Sequence, residues 1–144
     1  MANSLYGKGR EEFLGGDIDW DAGDIKLLLY DASQSPDIDV DYLCDKDTIP
    51  DADRVTNGLS GNFASKTKTL GVADADDVVL ATVSGDEVVG FVIALDGGGG
   101  LVEQTTTTDL LIADIDTATG LPVTPNGGNI TIAWDAGASK IFKL

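Results

Sequence analysis

The chain has 144 residues, a formal net charge of −16 and a pI near 4.1; one domain is expected, and phosphate backbones and anionic membranes are poor partners for it. It has no histidine and a single cysteine, Cys44, which excludes an intrachain disulfide and a multi-cysteine zinc site and removes the commonest general base. Hydrophobic residues make up 42%, near the globular norm, so a packed core is expected.

The opening "MANSLYGKGREEF" lacks the apolar stretch of a secretory signal. "YGKGREEFLGG" (6–16) predicts a short helix stopped by Gly-Gly, with Leu5, Phe13 and Leu14 as apolar anchors. So short a helix is marginal alone, so docking through Phe13 and Leu14 is expected. "DIDWDAGD" (17–24) alternates acid with Ile18 and Trp20 and predicts a strand or extended segment. "IKLLLYD" (25–31) is short, apolar and bounded by aspartate, which predicts a buried strand. "DIDVDYL" (37–43) alternates again, with Ile38, Val40 and Tyr42 on one face. Residues 44–69 are polar and rich in turn formers, which predicts a long surface excursion with room for a helical turn at 44–49. Cys44 follows Tyr42 and Leu43 and reads as a core thiol.

A strand at 77–83, a turn at "SGD" (84–86) and a strand at 87–95 predict a β-hairpin. Its run "VVGFVIAL" (88–95) is the longest apolar stretch and too short to span a bilayer as a helix. "GGGG" (97–100) reads as a loop tip, since it lacks the Lys-Ser/Thr that a phosphate loop requires. "TTTT" (105–108) is β-prone and suits either a paired strand or an exposed arm. A strand at 110–117 and a turn-rich "GLPVTPNGG" (120–128) precede "NITIAWD" (129–135), whose Ile130, Ile132 and Trp134 share a buried face. "KIFKL" (140–144) reads as a last strand, with Ile141 on one side and Lys140 and Phe142 on the other. If Phe142 is core, Lys140 must snorkel to the rim. The pattern predicts an all-β, single-domain antiparallel β-sandwich or barrel with one short N-terminal helix. Residues 1–16 would form an arm carrying the helix and 17–144 the β-domain.

The aspartates invite a calcium reading. Asp17, Asp19 and Asp21 have calcium-loop spacing, but the glycine falls late, at Gly23, and Leu28 stands where a bidentate Glu is needed. "DADR" (51–54) and "ADADD" (73–77) offer further oxygen ligands, although aspartates at bends more simply cap turns and keep strand edges soluble. Calcium therefore stays a minor possibility, with no cofactor expected. Nothing singles out a carboxylate pair for glycoside hydrolysis. Trp20 and Trp134 read as core aromatics; the alternative is an exposed stacking platform for a glycan or receptor, to which Tyr30 would also contribute.

Several stretches together resemble a family of small tailed-bacteriophage virion structural proteins: "MANSLYGKGREEFLGGDIDW" (1–20), "IPDADRV" (49–55), "GVADADDVVLATVSGD" (71–86) and, most densely, "IDTATGLPVTPNGGNITIAWDAGASKIFKL" (115–144). The chain departs from that pattern at "GGGGLVEQTTTT" (97–108). The resemblance carries over no catalytic residue. It implies a non-enzymatic virion component made in the host cytoplasm. Such a protein would be a head decoration (cement) protein on the outer capsid surface, with the major capsid protein as partner and a homo-oligomer, such as a trimer, as its form. Neck, tail-tube or fibre components are the alternative, as is a receptor- or glycan-binding module. Neither nucleic acid nor membrane is an expected partner. The expected contacts are Leu5, Tyr6, Lys8, Arg10 and Phe13 near the start, and Lys140, Phe142 and Lys143 at the end.

Overall fold

The computed structural model describes residues 3–31, 55–98 and 109–144. The expectations for 37–43, for Cys44 and the rest of 44–54, and for 99–108 lie outside these residues.

Two segments that are apolar along nearly their whole length form the centre of the fold. β2 (Asp24–Asp31) pairs antiparallel with β5 (Val88–Asp96), from Asp24 opposite Asp96 to Asp31 opposite Val88, with a bulge at the last step. β6 (Leu110–Ile115) lies on the other side of β5, and β1 (Ser4–Leu5) closes that edge, giving the order β1-β6-β5-β2. Both faces of this sheet are buried. Ile25, Leu27, Leu29, Phe91, Ile93 and Ile112 point to one side, and Leu28, Tyr30, Val92, Ala94 and Leu111 to the other. That is why these strands read as continuous apolar runs and not as alternations.

The remaining strands form two-stranded ribbons on the first face. β3 (Val72–Ala73) pairs with β8 (Phe142–Lys143), and β4 (Val78–Leu80) pairs with β7 (Ile130–Ile132). Their inward residues Ala73, Phe142, Val78, Leu80, Ile130 and Ile132 join the core of the four-stranded sheet, which makes the fold two-layered and all-β. The core is threaded by every phenylalanine and tryptophan of the chain. Phe13 meets Phe142, Phe142 meets Trp20, Trp20 meets Phe63, Phe63 meets Trp134 and Trp134 meets Phe91, with ring centroids 5.2–6.1 Å apart. Most of these contacts are tilted or edge-on, as the ring quadrupole prefers.

Several sequence expectations change. The hairpin of 77–83 with 87–95 is not formed, because β4 pairs with β7 while β5 takes the centre of the large sheet. β4 has one buried face, with Val78 and Leu80 in and Val79 out, so it suits an outer layer; β5 is buried on both faces and does not. Residues 17–23 form no strand but turn into β2, which begins at Asp24. The Asp19 carboxylate accepts the backbone N–H groups of Asp21 and Ala22 at 3.0 and 3.3 Å and bends the chain before Gly23. Residues 55–63 are no surface excursion: they run along the open edge of β2. Leu29 N–H donates to Gly58 O, Ser60 N–H to Leu27 O and Phe63 N–H to Ile25 O, at 2.8–3.0 Å. The Ser60 hydroxyl and Asn62 amide oxygens accept the N–H groups of Leu27 and Ile25, so this edge offers no template for foreign strands.

Residues 3–16, expected as an arm, are built into the domain. Ser4 and Leu5 pair with Asp114 and Ala113, and Asn3 binds the 116–117 backbone. Helix α1 (Gly7–Gly15) lies so close on β6 that a Cβ at Gly9 would sit 2.5 Å from Leu111 O. It ends at left-handed Gly16, whose N–H returns to Glu12 O, and glycine accepts this geometry without strain.

Candidate functional site

The helix and the last strand, distant in sequence, meet in space. Phe13 packs on Phe142 at 5.9 Å, and with Ile18, Trp20 and Ala73 they line a groove of about 370 Å³. Gly16, Gly71 and Leu144 border it. On the segments that bound it, Leu14 is 91%, Leu70 89% and Leu144 54% exposed. Among the described residues the only other large apolar side chain so open is Val79, on β4. Both Phe13 and Leu14 were expected to dock the helix; Phe13 does, whereas Leu14 faces water, because the outward helix face carries Arg10, Glu11 and Leu14.

The structure divides the expected contact residues. Tyr6 is fully buried and Phe142 nearly so, and both serve the core. Leu5 and Phe13 are half-buried against that core. Lys8 reaches Glu11 and Glu12 at 3.0 and 3.4 Å, and these hydrogen-bonded carboxylates raise its pKa. Lys140 stands in a left-handed turn and reaches Asp74 at 3.6 Å, the rim position required once Phe142 is core. Arg10 and Lys143 are exposed and make no ion pair among the described residues. Beside the groove Lys68 bridges Asp21 and Asp19 at 3.0 and 3.6 Å, and their carboxylates raise its pKa. The Asp19 carboxyl is held below its ordinary range, first by the Ala22 and Asp21 N–H groups and then by Lys68.

A second, larger groove of about 830 Å³ lies between the sheet and the 117–135 segment. Phe91, Ile115, Leu121, Ile130, Ile132 and Trp134 give it an apolar lining, and Thr119, Asn129 and Asp135 contribute polar groups. Trp134 is half-buried and pinned: its indole N–H donates to Asp76 O at 3.0 Å and its backbone N–H to an Asp77 oxygen at 3.1 Å. The other two aromatics of the expected platform are buried and take no part. Trp20 donates to Asp74 O at 3.3 Å, and Tyr30 donates to an Asp114 oxygen at 2.7 Å across Gly90. Burial, and then this hydrogen bond, raises the Tyr30 pKa well above the ordinary phenol value.

Of the acids of the calcium reading, those at 74, 76 and 77 are engaged in other ways. Asp74 meets Lys140, Asp76 accepts the Ser65 hydroxyl at 2.7 Å, and Asp77 fixes Trp134. Among the described residues no group of three or more His, Cys, Asp or Glu side chains converges to hold a metal. Buried Asp96 takes Lys26 and the Gly98 N–H, and buried Asp109 takes the Gly97 N–H, so these acids tie down the end of β5. Among the described residues no helix is long and apolar enough to cross a membrane.

No protein-family model, curated protein or solved structure matches the chain.

Sequence reasoning missed Leu70 and the roles of Ser60 and Asn62. The first left no signal, because left-handed backbone at a leucine has no sequence signature.

Proposed function

We propose that this chain is a non-enzymatic structural protein of a tailed-phage virion. In this reading it is a capsid decoration protein that binds the outer surface of the major capsid protein shell and stabilises the head. The observation that carries the proposal is the exposure of Leu14, Leu70 and Leu144 on the segments that bound one small groove, with Arg10 one helical turn before Leu14 and Lys143 next to Leu144. Large apolar side chains grouped on a surface mark a contact site. The resemblance of 1–20, 71–86 and 115–144 to small virion proteins supplies the setting. The net charge of −16 suits a position outside the shell, away from the packaged genome. Repetition over a shell lets weak individual contacts hold together, most simply as a homo-oligomer at local symmetry axes.

The test is to compare virions with and without the protein by negative-stain microscopy, heat challenge and quantitative mass spectrometry. Decoration predicts many copies per particle and lower heat resistance without it. Unchanged heads would sink the reading, and a few copies per particle would favour a neck, tail-tube or fibre component.

Trp134 favours one second reading, a glycan-binding module using the larger groove. A pinned, half-exposed indole beside hydroxyl and amide groups suits stacking against a neutral sugar. In a Trp20→Phe background, titration with neutral oligosaccharides should then shift the Trp134 fluorescence; a flat response to all of them removes this reading.

A further inference from the structure

Five non-glycine residues among those described have left-handed backbone: Asn57, Ser65, Leu70, Thr82 and Lys140. In four of them the side chain helps hold that conformation. Asn57 donates to Thr82 O and Oγ1 at 3.0 and 3.3 Å, which engages Thr82 as well. The Ser65 hydroxyl donates to Asp76 at 2.7 Å, and Lys140 reaches Asp74 at 3.6 Å. Leu70 is the exception. Its φ and ψ are 55° and 36°, its side chain has no oxygen to bond locally, and it is almost wholly in water.

For the isolated fold, leucine is a poor choice there. Glycine would take the same backbone without strain, and asparagine nearly so. A bulky apolar side chain adds exposed surface and recovers no burial. Strain that the fold does not use points to function. The position is also well supported. Leu70 belongs to the short 3-10 turn Thr69–Gly71, which is tied to the last strand by the Leu144 N–H donating to Gly71 O at 3.0 Å. The leucine is thus held on a firm base next to Gly71, which lines the groove together with Phe13, Trp20 and Phe142.

We infer that Leu70 is the anchor residue of the shell-binding face, inserting into an apolar recess of the capsid surface that is rimmed by carboxylates. This rests on the decoration reading. The rim chemistry follows from charge. Arg10 lies one helical turn before Leu14, and Lys143 precedes Leu144 and pairs in register with Val72; neither cation is paired among the described residues. A second copy of this chain is the weaker occupant. Two copies would bring together chains that each carry −16, and that repulsion opposes their association.

The experiment uses heads lacking the protein, the full chain, and co-sedimentation at several salt concentrations. Leu70→Gly removes the side chain and relieves the backbone, so it separates anchoring from folding. Expected are a melting temperature equal to or above wild type, a loss of head binding of tenfold or more, and full binding by the remote control Val79→Thr. Arg10→Gln with Lys143→Gln should weaken binding and flatten its salt dependence. Wild-type binding by Leu70→Gly overturns the inference and leaves the decoration reading standing. Lost binding with a lowered melting temperature assigns Leu70 to folding and also overturns it. If the wild type itself does not sediment with heads, the decoration reading falls and takes the anchor with it.

Discussion

Phe13 and Phe142 meet with ring centroids 5.9 Å apart at an interplanar angle of 56°, which joins the helix near the start to the last strand. Phe142 also meets Trp20 edge-on at 5.2 Å, so it is the node where three segments converge. Phe142→Ala should cost about 3 kcal/mol, the usual loss for a buried phenylalanine. A double-mutant cycle with Phe13→Ala should show coupling of about 1 kcal/mol, read from urea midpoints. Additive losses would mean that the two rings stabilise the fold independently.

Gly9 gives a prediction whose sign opposes helix propensity. Glycine to alanine inside a helix ordinarily stabilises by up to about 1 kcal/mol. Here the new Cβ would meet Leu111 O at 2.5 Å, and backbone cannot yield as a side chain can. Gly9→Ala should therefore destabilise by about 2 kcal/mol, while Gly7→Ala, with nothing within 4 Å of its Cβ, should be neutral or mildly stabilising. Thermal melts of the two variants side by side decide it.

Tyr30 sets an alkaline limit. Burial first, and the bond to Asp114 second, raise its folded pKa above the unfolded value of about 10. The stability this represents is fully present below pH ~10 and is lost as pH rises further, because only the unfolded chain then releases the proton. Tyr30→Phe should remove part of that alkaline loss. At pH 7 it should cost about 1–3 kcal/mol, since an Asp114 oxygen loses its donor. Denaturant midpoints from pH 7 to 11 for both proteins give the comparison.

Asp19 acts at the other end of the scale. Its folded pKa is lowered by the N–H groups of Ala22 and Asp21 and by Lys68, so its contribution is present above the unfolded value of about 4 and lost as pH falls through the lower folded one. Asp19→Ala should destabilise at neutral pH and flatten the acid limb of the stability curve. An unchanged acid limb would show that other carboxylates govern acid unfolding.

The all-β class was legible because β2, β5 and β6 are short apolar runs between turn formers, a pattern that local chemistry alone produces. Pairing was not legible. Nothing local in 77–95 reveals that β4 answers to β7 across fifty residues, and the "SGD" between β4 and β5 looks like a hairpin turn. The difference lay in burial, one face for β4 and two for β5. Trp20 was correctly read as core although its segment is a turn, since Asp19 bends the backbone without moving its neighbours Ile18 and Trp20 from the core. Arg10 and Lys143 lie on the surface, as charged residues do, but hydropathy misplaced Leu14 as a docking anchor, because short helices of low amphipathicity do not announce their buried face. Leu70 was hidden because backbone handedness at a leucine has no sequence signature.

The strand pairings also set the order in which the chain can fold. Ser4 waits for Asp114, Asp24 for Asp96, and Val72 for Lys143. Among the described residues only β5 and β6 pair as neighbours in sequence, so contact order is high and the search for the native pairing is slow compared with that of a helical protein of this size. During synthesis β2 leaves the ribosome long before β5, exposing an apolar strand that nothing yet covers. The aspartates flanking it, Asp24 and Asp31, are then its charged gatekeepers against misassembly.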